Sequence, residues 1–171
     1  MRIGLFGGTF DPAHEGHAHV AETALKRLQL HRVWWLVTPQ NPLKPKSGPF
    51  EKRFASARAH AQGPFMVVTD LEKSLDCAYT YQTLRALKRL YPGVSFVLVM
   101  GADNLASFRK WRRWREVAEA VPVAVVSRPG AGARERLSAP KGWRFLNARH
   151  HGQSSTSLRA VRAGVARPER K

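Results

Sequence analysis

The 171-residue sequence predicts an α/β fold, a doubly wound and mostly parallel sheet of five to six strands. Three observations carry that expectation. Short apolar runs alternate with stretches of helical periodicity along the chain. The runs are apolar throughout rather than on alternate residues, as in strands covered on both faces. No repeat period or low-complexity linker interrupts the order, so residues 1–171 read as a single domain with a short helical segment from about residue 154.

Arg2 to Phe6 reads as the first strand, and His17 to Leu28 as a helix with Val20, Ala21, Ala24, Leu25 and Leu28 on one face. "VWWLVT" at 33–38 is a second strand, and Pro39, Pro42, Pro45 and Pro49 mark the following segment as loop. Helical spacing returns over 50–61 with Phe50, Phe54, Ala57 and Ala61 in register. "FMVVT" at 65–69 is the third strand. The helix from Thr80 to Leu90 has Leu84, Leu87 and Leu90 as its face and stops at Pro92 and Gly93. "VSFVLVM" at 94–100 is the fourth strand, and "GADN" opens a helical region holding Trp111 and Trp114. "VAVVS" at 123–127 is the fifth; a Gly/Pro/Arg-rich loop, a weak strand "RFLN" and a helix from about Ser155 to Ala163 complete the order.

Apolar residues make up 43% of the chain and charged residues 24%, a globular balance that argues against disorder. The one cysteine, Cys77, closes no intrachain disulfide, and no apolar run approaches the ~18 residues a membrane-spanning helix needs. The opening "MRIGLF" passes straight into a strand pattern without a leader, so the expected location is the cytoplasm. The net charge of +17 is extreme and favours anionic partners, whether nucleotides, nucleic acid or an anionic membrane.

Parallel α/β sheets bind ligands beyond the carboxyl ends of their strands, where the strand order reverses. The loops after strands one and four, "GGTFDPAHEGH" at 7–17 and "GADN" at 101–104, are therefore the segments to inspect. Gly7 and Gly8 give a backbone free to turn and to be approached by a bulky anion. His14 and His17 lie at a helix entrance, where open N–H groups and the helix dipole favour negative charge. These features converge on a phosphate, although neither G-x-x-x-x-G-K-[ST] nor G-x-G-x-x-G is present.

"GGTFDPAHEGH" resembles the signature of the HxGH nucleotidyltransferase superfamily, and more narrowly that of bacterial nicotinate-mononucleotide adenylyltransferases. His14, Gly16 and His17 match H-x-G-H. "NPLK" (41–44), "YTYQTL" (79–84, against Y-T-x-D-T-L), "GADN", Trp111 ten residues after Gly101, "SRPG" (127–130) and "SSTSLR" (154–159) extend the likeness from residue 3 to about 164. Two departures stand out: Gln82 replaces an Asp, and the sequence closes on "GVARPERK" where many relatives carry a further helix.

The resemblance implies a Rossmann-like nucleotidyltransferase fold and adenylyl transfer from ATP to nicotinate mononucleotide, a step of pyridine nucleotide (NAD) biosynthesis, with magnesium as cofactor. It implies His14, His17 and Arg159 at the reacting phosphates, His17 nearest the α-phosphorus. Gly7, Gly8, Thr9, Phe10, Gly16, Gly101 and Asp103, with Ser155 and Thr156, would bind ATP, Asp103 through the adenosine ribose. Lys44, Thr80, Trp111 and Arg128 would bind the mononucleotide, with backbone N–H groups at Thr80 holding the nicotinate carboxylate and Trp111 stacking on the pyridine. Phosphopantetheine adenylyltransferase is the nearest alternative. A basic nucleic-acid-binding domain is the alternative of another class, since "FRKWRRWR" at 108–115 sets five basic residues around two tryptophans. A homo-oligomer stays open.

Overall fold

In the computed structural model the sheet has six strands, all parallel, in the order β3-β2-β1-β4-β5-β6. The structure describes residues 1–40, 43, 46–127, 140 and 142–147. The strands are β1 (Arg2–Gly8), β2 (Arg32–Val37), β3 (Met66–Thr69), β4 (Ser95–Gly101), β5 (Val123–Ser127) and β6 (Arg144–Asn147), so the weak "RFLN" run does form an edge strand. The helices are α1 (Glu15–Arg27), α2 (Phe50–His60), α3 (Leu71–Ser74), α4 (Thr80–Leu90), α5 (Ala102–Phe108) and α6 (Trp114–Ala120).

Because successive side chains of a strand point to opposite faces, the continuous apolar runs feed two cores. Phe6, Val33, Trp35, Val37, Val97 and Val99 meet Ala18, Ala21 and Ala24 of α1 and Ala57 of α2 on one face. Leu5, Leu36, Leu98, Met100 and Val125 meet Leu84 and Leu87 of α4, Phe108 of α5 and Val117 of α6 on the other. Three alanines on α1 let that helix lie close against the sheet, which draws its first turn over the end of β1.

The chain winds outward from β1 to β3, then returns to pair β4 with the opposite edge of β1. The reversal therefore falls between β1 and β4, the point at which sheets of this kind form a crevice beyond the carboxyl ends of their strands. Two local features escaped the periodicity. The four-residue α3 is too short to show a period, and the helical region after "GADN" divides into α5 and α6 at a turn where Arg113 has φ of 54°. The helix expected from about Ser155 lies outside the described residues. Among the described residues no helix is long and apolar enough to cross a membrane.

Candidate active site

The crossover from β1 to α1 differs from the expected glycine turn in an instructive way. Gly7 and Gly8 are the last residues of β1, still paired with Leu36 and Val37, so the chain does not turn there. The positive φ falls on Phe10 instead, at 48°. A non-glycine residue tolerates that region only when its surroundings hold it, and the Phe10 side chain is 1% exposed, packed against Phe6, Trp35 and His17. Phe10 thus serves the core with its ring and presents only main chain to the crevice. Gly7 keeps its value as a floor: a Cβ built there meets nothing within 4 Å, whereas one on Gly8 would sit 3.1 Å from the Phe10 ring. Thr9, between them and the turn, is buried.

Helix α1 starts at Glu15, two residues before the expected His17, because His14 caps it. The His14 Nδ1 accepts from the Gly16 N–H at 3.0 Å, and the His17 Nδ1 accepts from the His14 N–H at 3.2 Å, a reciprocal capping box built from two imidazoles. The rings lie 3.9 Å apart, centroid to centroid. A ring nitrogen that accepts carries no proton, so each neutral ring holds its proton on Nε2. The cap therefore satisfies the first open N–H groups of the helix and orients two Nε2–H donors in one step.

Arg53 is the residue that sequence reasoning missed. It is 3% exposed, and its guanidinium donates to four main-chain carbonyls: Nε to Gly48 (2.8 Å), Nη1 to Thr9 and Thr38 (2.8 Å each), and Nη2 to Pro39 (2.7 Å). Burial lowers its pKa from the ordinary arginine value, and the nearby Asp11 carboxylate opposes that shift. Asp11 also accepts from the Gly48 N–H at 3.0 Å, and Ser56 Oγ accepts from the Ala13 N–H at 3.1 Å. The first two turns of α2 thus hold residues 9–13 and the start of the β2–α2 loop. The signal in the sequence was slight, an Arg placed on the apolar face that Phe50, Phe54 and Ala57 define.

Across the crevice, the entrance of α4 carries one half of such a box, from Gln82 back to the N-cap Tyr79. Gln82 Oε1 accepts from the Tyr79 N–H at 3.0 Å, so the amide at this position fills an acceptor role that needs no charge. Thr80 is the first residue of α4 and half-buried. Behind it lies Glu72, whose Oε1 accepts from Thr83 Oγ1 at 3.1 Å while Oε2 is buried without a partner among the described residues. Burial raises the Glu72 carboxyl above its ordinary value, and its contacts with the Thr38 and Thr83 hydroxyls only partly oppose the shift.

At the end of β4, Gly101 is the N-cap of α5, and Asp103 is an exposed carboxylate in its first turn rather than the cap itself. A Cβ on Gly101 would lie 2.5 Å from Asp103 Oδ1, so the glycine is what lets that carboxylate fold back toward the strand end. Trp111 is half-buried, its ring 5.3 Å from that of Phe108, which leaves part of the indole for a ligand. The basic 109–115 segment is an exposed layer of cations on rings: Arg112 over Tyr79 at 5.0 Å, Arg113 over Tyr81 at 4.9 Å, Arg115 over Trp114 at 4.6 Å. Lys44, Arg128, Ser155, Thr156 and Arg159 lie outside the described residues. Among the described residues no three His, Cys, Asp or Glu side chains gather as a metal site.

The structure thus brings Gly7, His14, His17, Gly101 and Asp103 to the strand-order reversal and Thr80 and Trp111 to its α4–α5 side. Comparison with known proteins bears on the family and the fold. The cytidylyltransferase-like family profile matches residues 5–161. A protein of Caulobacter sp. (strain K31) named a probable nicotinate-nucleotide adenylyltransferase is 55% identical over 160 residues, covering 92% of this chain and 84% of its own. A protein of Roseobacter denitrificans with the same name is 53% identical over 157 residues, covering 91% and 78%. The fold matches that of Plasmodium falciparum nicotinic acid mononucleotide adenylyltransferase complexed with NaAD, with a TM-score of 0.75 at 18% identity over 92% of this chain and 82% of that one. The chain belongs to the cytidylyltransferase-like family and, within it, to the nicotinate-nucleotide adenylyltransferases.

Proposed function

We propose that this protein transfers the adenylyl group of ATP to nicotinate mononucleotide, releasing pyrophosphate and forming nicotinate adenine dinucleotide for NAD biosynthesis in the cytoplasm. The observation that carries the reading is the imidazole capping box: two rings locked by main-chain N–H groups at a helix N-terminus, beside the open face of Gly7. A nucleic-acid-binding module would account for the exposed 109–115 cations and would leave that box without a task.

A phosphate oxygen of the mononucleotide attacks the α-phosphorus of ATP, and the bond from that phosphorus to the bridging oxygen breaks as pyrophosphate leaves. The nucleophile is ionised at neutral pH, so no general base is needed. What the protein must supply is alignment and stabilisation of charge on the phosphate oxygens. His14 and His17 donate from Nε2–H to the triphosphate, with the main chain of Gly7, Gly8, Thr9, Phe10 and Gly16 around it, and Asp103 accepts from the ribose hydroxyls beside Gly101. Arg159, Ser155 and Thr156 take the leaving phosphates.

The mononucleotide lies on the α4 side, its carboxylate at the Thr80 N-terminus, its ring on Trp111, with Lys44 and Arg128 as further contacts. Magnesium would come with ATP and need no cage of protein ligands, and it would supply neutralisation of the phosphate charge.

Pyrophosphate release from ATP and magnesium, with nicotinate mononucleotide, nicotinamide mononucleotide and phosphopantetheine offered separately, tests the assignment. Turnover highest with the nicotinate acceptor is expected. Activity with phosphopantetheine alone overturns the acceptor, and inactivity with all three overturns the enzyme.

A further inference from the structure

A buried guanidinium that donates to four main-chain carbonyls, with the Asp11 carboxylate nearby, is an unusual way to stabilise a fold. Desolvating the charge is costly, and an apolar side chain of similar volume often serves stability as well or better. Arg53 accepts that cost at a particular place. Thr9 belongs to the loop that leads from β1 to the imidazole pair; Thr38 and Pro39 begin the loop that leaves β2 toward "NPLK"; Gly48 closes that second loop just before α2. One rigid planar fork therefore measures the distance between two loops that the adenylyl-transfer reading assigns to ATP and to the mononucleotide. The same helix grips the first loop again one turn later, where Ser56 Oγ receives the Ala13 N–H, the residue immediately before His14.

We propose that Arg53 is a positioning residue that fixes the spacing of the ATP-side loop at Thr9 against the mononucleotide-side loop at Thr38 and Pro39, and thereby the in-line alignment of the two substrates. The inference rests on the adenylyl-transfer reading of the site. Lysine is not a substitute: its donors radiate from a single nitrogen and cannot span carbonyls on three segments. Loss of the fork relaxes the spacing without removing any group that touches a phosphate.

The test is R53K alone and combined with H17A, with kcat normalised to the folded fraction and the Kd of each substrate measured separately. R53K is expected to lower kcat about 100-fold, the scale of an ångström's misplacement, while each separate Kd changes less than about threefold. The double variant is expected to be little slower than the slower single one, because the His17 donor acts only on a phosphate that the two loops hold in line. A purely structural Arg53 would lower the folded fraction and leave kcat per folded molecule unmoved, and that result overturns the proposal, as do losses that multiply in the double variant. Should R53K not fold, S56A decides: about a tenfold lower kcat supports the tether, and an unchanged kcat overturns it. No turnover by the wild-type protein overturns the adenylyl-transfer reading and this inference with it, whereas wild-type turnover that R53K leaves intact overturns this inference alone.

Discussion

His14 has two tasks in the structure, and one substitution can separate them. Its Nδ1 caps α1, and its Nε2–H is a donor at the phosphate site in the proposed mechanism. Alanine removes both. Asparagine keeps a side-chain acceptor for the Gly16 N–H and is among the best N-cap residues, so H14N should hold stability within about 0.5 kcal/mol, against a loss of ~1 kcal/mol for H14A. Neither variant replaces the Nε2–H donor. Removing one preorganised donor to a developing phosphate charge costs about 3–4 kcal/mol in the transition state, or roughly 10²–10³ in kcat. The expected pattern is that H14N unfolds in urea like the wild type and turns over ATP and nicotinate mononucleotide at least about 100-fold more slowly. A fully active H14N would show that the ring matters only as a cap. The phosphate assignment of His14 would then be wrong.

Glu72 ties stability to pH. Its carboxyl is raised in the folded protein by burial, so between its ordinary value and the raised one the native state holds a proton that the unfolded chain has released. Stability contributed by this group therefore falls as pH rises through that window, and E72Q, which mimics the protonated acid, should gain on the wild type in urea melts from pH 5 to pH 8; a constant difference refutes the coupling. G101A should displace the Asp103 carboxylate, since the new Cβ would lie 2.5 Å from Oδ1. Loss of one charge-assisted ribose contact, about 1.5 kcal/mol, predicts a KM for ATP raised about tenfold with Tm nearly unchanged. F108A empties the centre of a ring cluster formed with Trp111, Trp114 and Trp143. It should cost about 3–5 kcal/mol in chemical denaturation.

What was legible in the sequence had a short physical range. Strands buried on both faces must be apolar at every position, so β1, β2, β4 and β5 declared themselves, and the alternation with helices left a doubly wound sheet as the economical outcome. The capping residues declared themselves less directly. The H-x-G-H spacing locates a helix entrance, but only the fold shows that each Nδ1 accepts from a main-chain N–H, which fixes the nitrogen left to donate.

Gln82 is a different case: the sequence shows an Asp-to-Gln exchange, and the fold shows the amide oxygen accepting from the Tyr79 N–H at the entrance of α4, a role that needs no charge. Arg53 was illegible for a different reason. Its partners are carbonyl oxygens, which every residue carries, so no pattern of side chains marks them. The same holds for the turn at Phe10: glycines lay two and three residues upstream, yet the ring's burial among Phe6, Trp35 and His17 stabilises a positive φ that composition would have given to them. In this crevice the side chains proposed to do chemistry are written in the sequence. The main-chain geometry that aims them is set by tertiary packing, and it is there that substitutions remote from either substrate should alter the rate.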